Sequence, residues 1–233
     1  MLAADPLHVT LWRGSQALAE ECLVHPFVRG LADGNLDRDA FKHYVAQDAF
    51  FLRAFFSAYA LAAVRAAERP NVARRLHRLM GGVLDELKLH TTYAKNLGID
   101  LEEVRPNSAA RAYTNFLLRT AWTADIGEIM AAMTPCMRLY AYLGQELAVG
   151  NHSQNPYRKW IETYSSEEFE TLAGELESLL DQLADATPAV VSAYRYAMLC
   201  ERDFFSSSLT QGTFTPAVTE KPGLGSSVLR SRR

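Results

Sequence analysis

The feature that most constrains this chain is the recurrence of apolar residues every three to four positions along nearly its whole length. Turn signals fall at intervals of helix length. No alternating run of useful strand length and no internal repeat breaks the pattern. Such a chain predicts an all-α fold. Asp5-Pro6 sets a capping residue before a proline and predicts a helix through about Cys22. His25-Pro26-Phe27 opens a short helix, brought to a close by Gly30 and then Asp33-Gly34. Asp37 is placed to cap a long helix whose apolar stripe is Phe41, Tyr44, Val45, Phe51, Leu52, Phe55, Phe56 and Tyr59. Pro70 begins the next, which ends at Gly98. Asn107 or Ser108 opens another to about Trp122, and a further helix spans Asp125 to Gly150 with Pro135 inside it. Pro156-Tyr157 begins a short helix, and Ser165-Ser166-Glu167-Glu168 has the spacing of a capping box. Thr187-Pro188 opens the last core helix, to near Leu209. The expected architecture is a single-domain bundle of about eight helices over residues 1–209. A Gly-, Pro-, Ser- and Thr-rich tail, 210–233, follows and ends in the basic cluster Arg230-Ser231-Arg232-Arg233; it is expected to be flexible and solvated.

Charge and cysteine content narrow the partners. Basic and acidic side chains are well mixed and the net charge is −3, so nothing draws the chain to phosphate backbones or anionic membranes. Apolar runs are cut by charges before membrane-spanning length; even Ala54–Val64 stops at Arg65. Cys22, Cys136 and Cys200 are odd in number and form no CxxC pair, which argues against a disulfide framework or a structural zinc. The first residues form no secretion signal. With 48 % hydrophobic residues a core needs no such staples. The expectation is a soluble, cytoplasmic protein with no nucleic-acid or membrane partner.

The most informative residues are acids on apolar helix faces. Asp48 has Tyr44 and Val45 one turn before it and Phe51 and Leu52 one turn after; Glu201 lies between Ala197, Met198 and Phe204, Phe205. Both carboxyls are expected to project inward, where each needs a partner or a proton. A structural network with an arginine or tyrosine satisfies that need as well as an active site does. Cys136 follows Pro135, which frees the Ala131 carbonyl, and Tyr140 shares its face at i+4. Spacing alone leaves Cys136 a small buried hydrophobe, as it does Cys22 and Cys200. Glu86 and His90, an i,i+4 pair flanked by Val83, Leu87 and Leu89, are read as a packing or supporting pair. No histidine has a glutamate three residues before it, so a di-metal bundle is not expected and no metal is assigned.

Four segments resemble the TenA (thiaminase II) family. They are His25-Pro26-Phe27-Val28 with Asp33-Gly34, Phe41 through Asp48, Thr134-Pro135-Cys136-Met137-Arg138-Leu139-Tyr140, and Tyr157 through Tyr164. They stand in the family's order, and the resemblance covers roughly residues 10–209. It implies a heme-oxygenase-like bundle without heme or other cofactor, usually a homotetramer. The implied reaction is hydrolysis of an aminopyrimidine, either thiamin or its formylaminopyrimidine or aminomethylpyrimidine breakdown product, to hydroxymethylpyrimidine. By resemblance, Cys136 matches the nucleophile and Glu201 the glutamate that protonates the ring nitrogen. Asp48 matches the aspartate at the ring's amino edge, and Tyr113 the tyrosine that orients the glutamate. Tyr140 and Tyr164 match tyrosines lining the pocket. Many members carry tyrosine where this chain has Phe51, which keeps the stacking surface and lacks a hydroxyl. A second branch replaces the mid-chain cysteine by a glutamate; Cys136 puts this chain in the cysteine branch.

Three other readings compete with hydrolysis. One is an oxidase of the same fold resembling the pyrroloquinoline-quinone enzyme, which the Pro-Cys motif and the scarcity of site histidines oppose. Another is direct DNA regulation, for which there is neither a helix-turn-helix signal nor a basic face. The third is a protein that binds the pyrimidine without turnover, which the presence of both Cys136 and Glu201 disfavours.

Overall fold

The computed structural model describes residues 5–150 and 153–209. These form ten α-helices and no strand. They are α1 (Leu7–Gly14), α2 (Gln16–Leu23), α3 (Pro26–Asp33), α4 (Arg38–Arg65), α5 (Pro70–Leu97), α6 (Ser108–Thr123), α7 (Ile126–Ala148), α8 (Arg158–Tyr164), α9 (Glu167–Leu183) and α10 (Pro188–Leu209). The tail over 210–233 lies outside the described residues.

Helix ends follow capping chemistry. Asp37 Oδ1 accepts from the Asp39 and Ala40 amides at 2.9 and 3.1 Å, Asn107 Oδ1 from Ala110 at 2.8 Å, and Asp125 Oδ1 from Glu128 at 2.9 Å. Gly34 and Gly98 close α3 and α5 in the left-handed conformation, with φ of 72° and 67°. Three expectations are corrected. The helix foreseen from Asp5-Pro6 to Cys22 is two helices, because the chain turns at Ser15, whose N–H bonds the Trp12 carbonyl at 2.9 Å. Gly14, which pays most to be held helical, makes the break cheap there. Asp5 does not cap; its carboxylate pairs with Arg13 at 2.9 Å. The capping box is also displaced. Ser166 rather than Ser165 is the cap, accepting from the Phe169 amide at 3.1 Å, so the third helical position holds Phe169 and no glutamate reaches back.

Helix α4 packs most extensively on α5 and also on α6, while α7 packs on α8, α9 and α10. The core between them is aromatic: Tyr44, Tyr59, Tyr113, Trp160, Tyr164, Phe204 and Phe205 are essentially inaccessible. Gly144 fixes one essential approach. A Cβ there would collide with the backbone of Tyr164 and Ser165, so only glycine lets the end of α8 lie against α7 and carry Tyr164 inward. No described helix is long and apolar enough to cross a membrane.

Candidate active site

Six of the helices send a polar side chain to one buried cluster. Helix α4 contributes Tyr44 and Asp48, α5 Glu86 and His90, α6 Tyr113, α7 Cys136 and Tyr140, α8 Tyr164, and α10 Glu201. Asp48 and Glu201 arise from the pattern read in the sequence: a polar group on an apolar stripe, buried with its stripe.

The cluster has two arms. In the first, the Tyr113 hydroxyl donates to Glu201 Oε1 at 2.7 Å, and the Cys136 thiol also hydrogen-bonds Glu201. The Phe51 ring packs on Tyr113 with centroids 4.7 Å apart and holds it in place. In the second, the Tyr164 hydroxyl donates to Glu86 Oε1 at 2.6 Å, and His90 Nε2 lies 2.5 Å from Asp48 Oδ2. That last pair is close but poorly aligned, since neither atom has a well-directed hydrogen-bond partner among the described residues. The Glu86 carbonyl lies 3.1 Å from His90 Nδ1 and accepts its proton, leaving Nε2 to face Asp48. Tyr140 joins the arms: its ring meets Tyr164 edge-on at 4.8 Å, and its hydroxyl accepts from Tyr44 at 3.4 Å. Trp160 Nε1 in turn donates to Tyr44 at 3.2 Å.

Burial sets the protonation states. Desolvation, reinforced by Asp48, pushes Glu201 up to about 8, against the pull of the Tyr113 and Cys136 hydrogen bonds. The same two causes raise Glu86 to about 7. Burial opposes the imidazolium of His90, yet Asp48 and Glu86 outweigh it and lift the group to about 9. Burial, with the nearby Glu201, Glu86 and Asp48, raises Cys136 well above an ordinary thiol. At neutral pH the cluster therefore holds a neutral Glu201, an uncharged thiol and an Asp48–His90 ion pair. Cys136 is only partly covered, whereas Cys22 and Cys200 are buried.

Asp48, Glu86 and His90 can each offer one ligand atom within 4.8 Å of the others. With no metal bound, His90 carries its proton against Asp48, and a metal entering this set would have to displace that proton.

All seven residues singled out in the sequence meet here: Asp48, Phe51, Tyr113, Cys136, Tyr140, Tyr164 and Glu201. Glu86 and His90, read from the sequence as a packing or supporting pair, lie against Tyr164 and Asp48 and so support the cluster, and the signal that exposed Asp48 and Glu201, charge flanked by apolar turns, is present there too at Val83, Leu87 and Leu89. Tyr44 and Tyr59 were read as stripe residues, which they also are.

Residues 12–211 match the model of the TENA/THI-4/PQQC family. The chain belongs to this family. Among TenA-related proteins, it is 31 % identical over 222 residues to the aminopyrimidine aminohydrolase of Bacillus subtilis, covering 94 % of this chain and 89 % of that one. It is 37 % identical over 230 residues to the mitochondrial bifunctional TH2 protein of Arabidopsis thaliana, covering 84 % of this chain and 37 % of the relative. The chain thus spans about a third of the length of that and similar multifunctional relatives. A TenA homologue from P. horikoshii superposes with a TM-score of 0.80 at 28 % identity, covering 88 % of this chain and 98 % of the other. Heme oxygenase-1 of Synechocystis shares the fold, with a TM-score of 0.58 at 16 % identity over 87 % of this chain and 92 % of that one.

Proposed function

We propose that this TenA-family chain hydrolyses a C–N bond in an aminopyrimidine or in thiamin, releasing hydroxymethylpyrimidine, with Cys136 as nucleophile. The observation that carries the reading is the Cys136–Glu201–Tyr113 chain: a thiol hydrogen-bonded to a carboxyl that burial keeps protonated at neutral pH. The B. subtilis relative named aminopyrimidine aminohydrolase supports the substrate class.

A thiol beside three carboxyls does not readily ionise on its own, and the neutral state of Glu201 resolves the difficulty. Glu201 gives its proton to the pyrimidine ring nitrogen and becomes a carboxylate. That carboxylate takes the thiol proton as Sγ bonds to the activated ring carbon, so no free thiolate accumulates. With ring conjugation broken, the bond from the exocyclic methylene to nitrogen breaks, and its electron pair leaves on neutral thiazole or on an amine that departs from its protonated form. Water adds to the methylene, a cluster base takes its proton, and Sγ departs as the ring regains aromaticity, Glu201 returning a proton to the sulfur and recovering its own from the ring nitrogen. Asp48 holds the ring's amino group, Tyr113 aims Glu201, and Phe51, Tyr140 and Tyr164 wall the ring. No step uses a cofactor.

The working form is a cytoplasmic homotetramer acting on a small molecule, without nucleic-acid or membrane partners. Exposed Trp122, Val64 and Val149 support self-association, and light scattering tests it. The test of function is release of hydroxymethylpyrimidine from aminomethylpyrimidine, formylaminopyrimidine and thiamin, with Cys136→Ala as blank. Turnover absent from the blank supports the reading. Binding without turnover in the wild type overturns it.

A further inference from the structure

Cys136 follows the point where its helix is one rung short. Pro135 has no N–H, so the backbone bond its position would make to the Ala131 carbonyl cannot form. One residue earlier, the Thr134 hydroxyl donates to the Met130 carbonyl at 2.7 Å, a back-bond that also favours bending. The half of α7 beyond this point carries Cys136 and Tyr140, so its orientation needs a hold of its own.

That hold is a clamp onto α9. Arg138 Nε and Nη2 donate to the two oxygens of Glu177 at 2.7 and 2.6 Å, and Nη1 and Nη2 donate to those of Glu170 at 2.9 Å each. One guanidinium thus grips two carboxylates that lie two turns apart on one face of α9. Gln145, two turns further along α7, adds a bond to Glu170 at 2.7 Å. The inner part of the clamp is mostly covered, with side-chain exposure of 16 % for Arg138 and 9 % for Glu177. Buried ion groups of this kind add little net stability over apolar residues of the same volume, whereas a two-pronged pair fixes direction.

Direction is what the nucleophile needs. At 3.6 residues per turn, Arg138 lies about 160° round the helix from Cys136. Gripped by α9 on one side, the segment presents Cys136 and, one turn on, Tyr140 to the cluster on the other. A rotation of the segment by about 20° would swing the sulfur by about 1 Å or more. That is enough to break its hydrogen bond with Glu201, and a misplacement of about 1 Å slows a reaction by about 10²-fold.

We propose that Arg138 is a positioning residue: clamped by Glu170 and Glu177, it sets the rotation of α7 beyond Pro135 and thereby aims Cys136 at Glu201. Its effect on rate rests on the hydrolase reading, whereas its effect on the thiol does not.

The experiment compares Arg138→Lys, which keeps the charge and loses the fork, with Arg75→Lys. Arg75 makes a similar clamp on α9, through Glu175 and Gln182, but from α5 rather than α7. Each variant is read twice. One readout is the infrared S–H stretching band of Cys136, assigned by its absence from Cys136→Ala; the other is kcat and KM for release of hydroxymethylpyrimidine from aminomethylpyrimidine. In Arg138→Lys the band is expected at higher frequency, as the thiol loses its carboxyl partner, and kcat should fall about tenfold or more with KM within about twofold. Arg75→Lys should leave the band and kcat as in the wild type, even where its melting temperature falls as far. Glu170→Gln, at the more exposed end of the clamp, should show the same signs with kcat down about threefold, and it decides the matter if Arg138→Lys does not fold. An unmoved band in the folded variant overturns the proposal. So do equal losses of kcat in Arg138→Lys and Arg75→Lys, which would make both clamps merely structural. A wild type without turnover removes the hydrolase reading instead, and the band alone then decides whether Arg138 aims the thiol.

Discussion

His90 and Asp48 face each other across the α4–α5 packing at 2.5 Å, a buried ion pair with no solvent to soften it. The pair lies beside the groups proposed to do chemistry: Asp48 adds to the burial that raises Glu86 and Glu201, while His90 pulls Glu86 back down.

Removing one member should therefore be costly. His90→Ala leaves a buried carboxylate without its cation, and such losses run to about 3–5 kcal/mol. Chemical denaturation should show a loss on this scale for His90→Ala and a smaller one for Asp48→Asn/His90→Gln, in which neither charge remains. Equal destabilisation in the two would mean the pair contributes shape rather than charge.

Stability should fall as pH rises through the neutral range. Glu86 and Glu201 have folded values, about 7 and about 8, above the ordinary 4.5, and His90, at about 9, lies above its ordinary 6.5. A group with a raised folded value stabilises fully below its unfolded value and loses that contribution as pH passes the folded one. All three point the same way, so the melting temperature should decline between about pH 5 and pH 9. Glu201→Gln should flatten the portion below about pH 8; a wild-type curve that rises over that window would contradict these states.

Cys136→Ala and Glu201→Gln should each lower kcat by about 10²–10⁴ with thermal unfolding near that of the wild type. The double variant should lose little more than the worse single one, because the two groups exchange one proton and act as a unit. Full activity in either single variant would remove the proposed mechanism.

Phe51→Tyr places a hydroxyl against Tyr113 in a nearly inaccessible position. The new group can reach substrate or remain unpaired. The expectation is a change in preference between thiamin and its breakdown products of about threefold or more, with stability altered by about 1 kcal/mol. Identical relative rates in both forms would show that Phe51 only packs.

Much of this architecture was legible in the sequence because helical period and capping chemistry are local. Asp37, Asn107 and Asp125 cap where their side chains predict, and the stripes around Asp48 and Glu201 bury as read. The failures have physical causes. Asp5 had a better partner in Arg13 than an open helix end, and the break at Ser15 came from the low helical preference of Gly14, which the apolar period conceals. For Glu86 and His90 the packing and supporting roles stayed open, because the i,i+4 spacing shows that two residues share a face without showing what the face meets. Asp48 lies across from them on another helix, and no spacing within one helix reports that.

The Gly144 contact decides more than how closely two helices pack. With no side chain there, the α8 backbone closes onto α7 and delivers Tyr164 to Glu86, so the geometry of one arm of the buried cluster is set by an atom that is missing. A methyl group added at that position would displace a tyrosine it never touches through its side chain. The chain would then remain a helical bundle of the same topology with a miswired interior, a lesion visible to kinetics before it is visible to any measure of helix content.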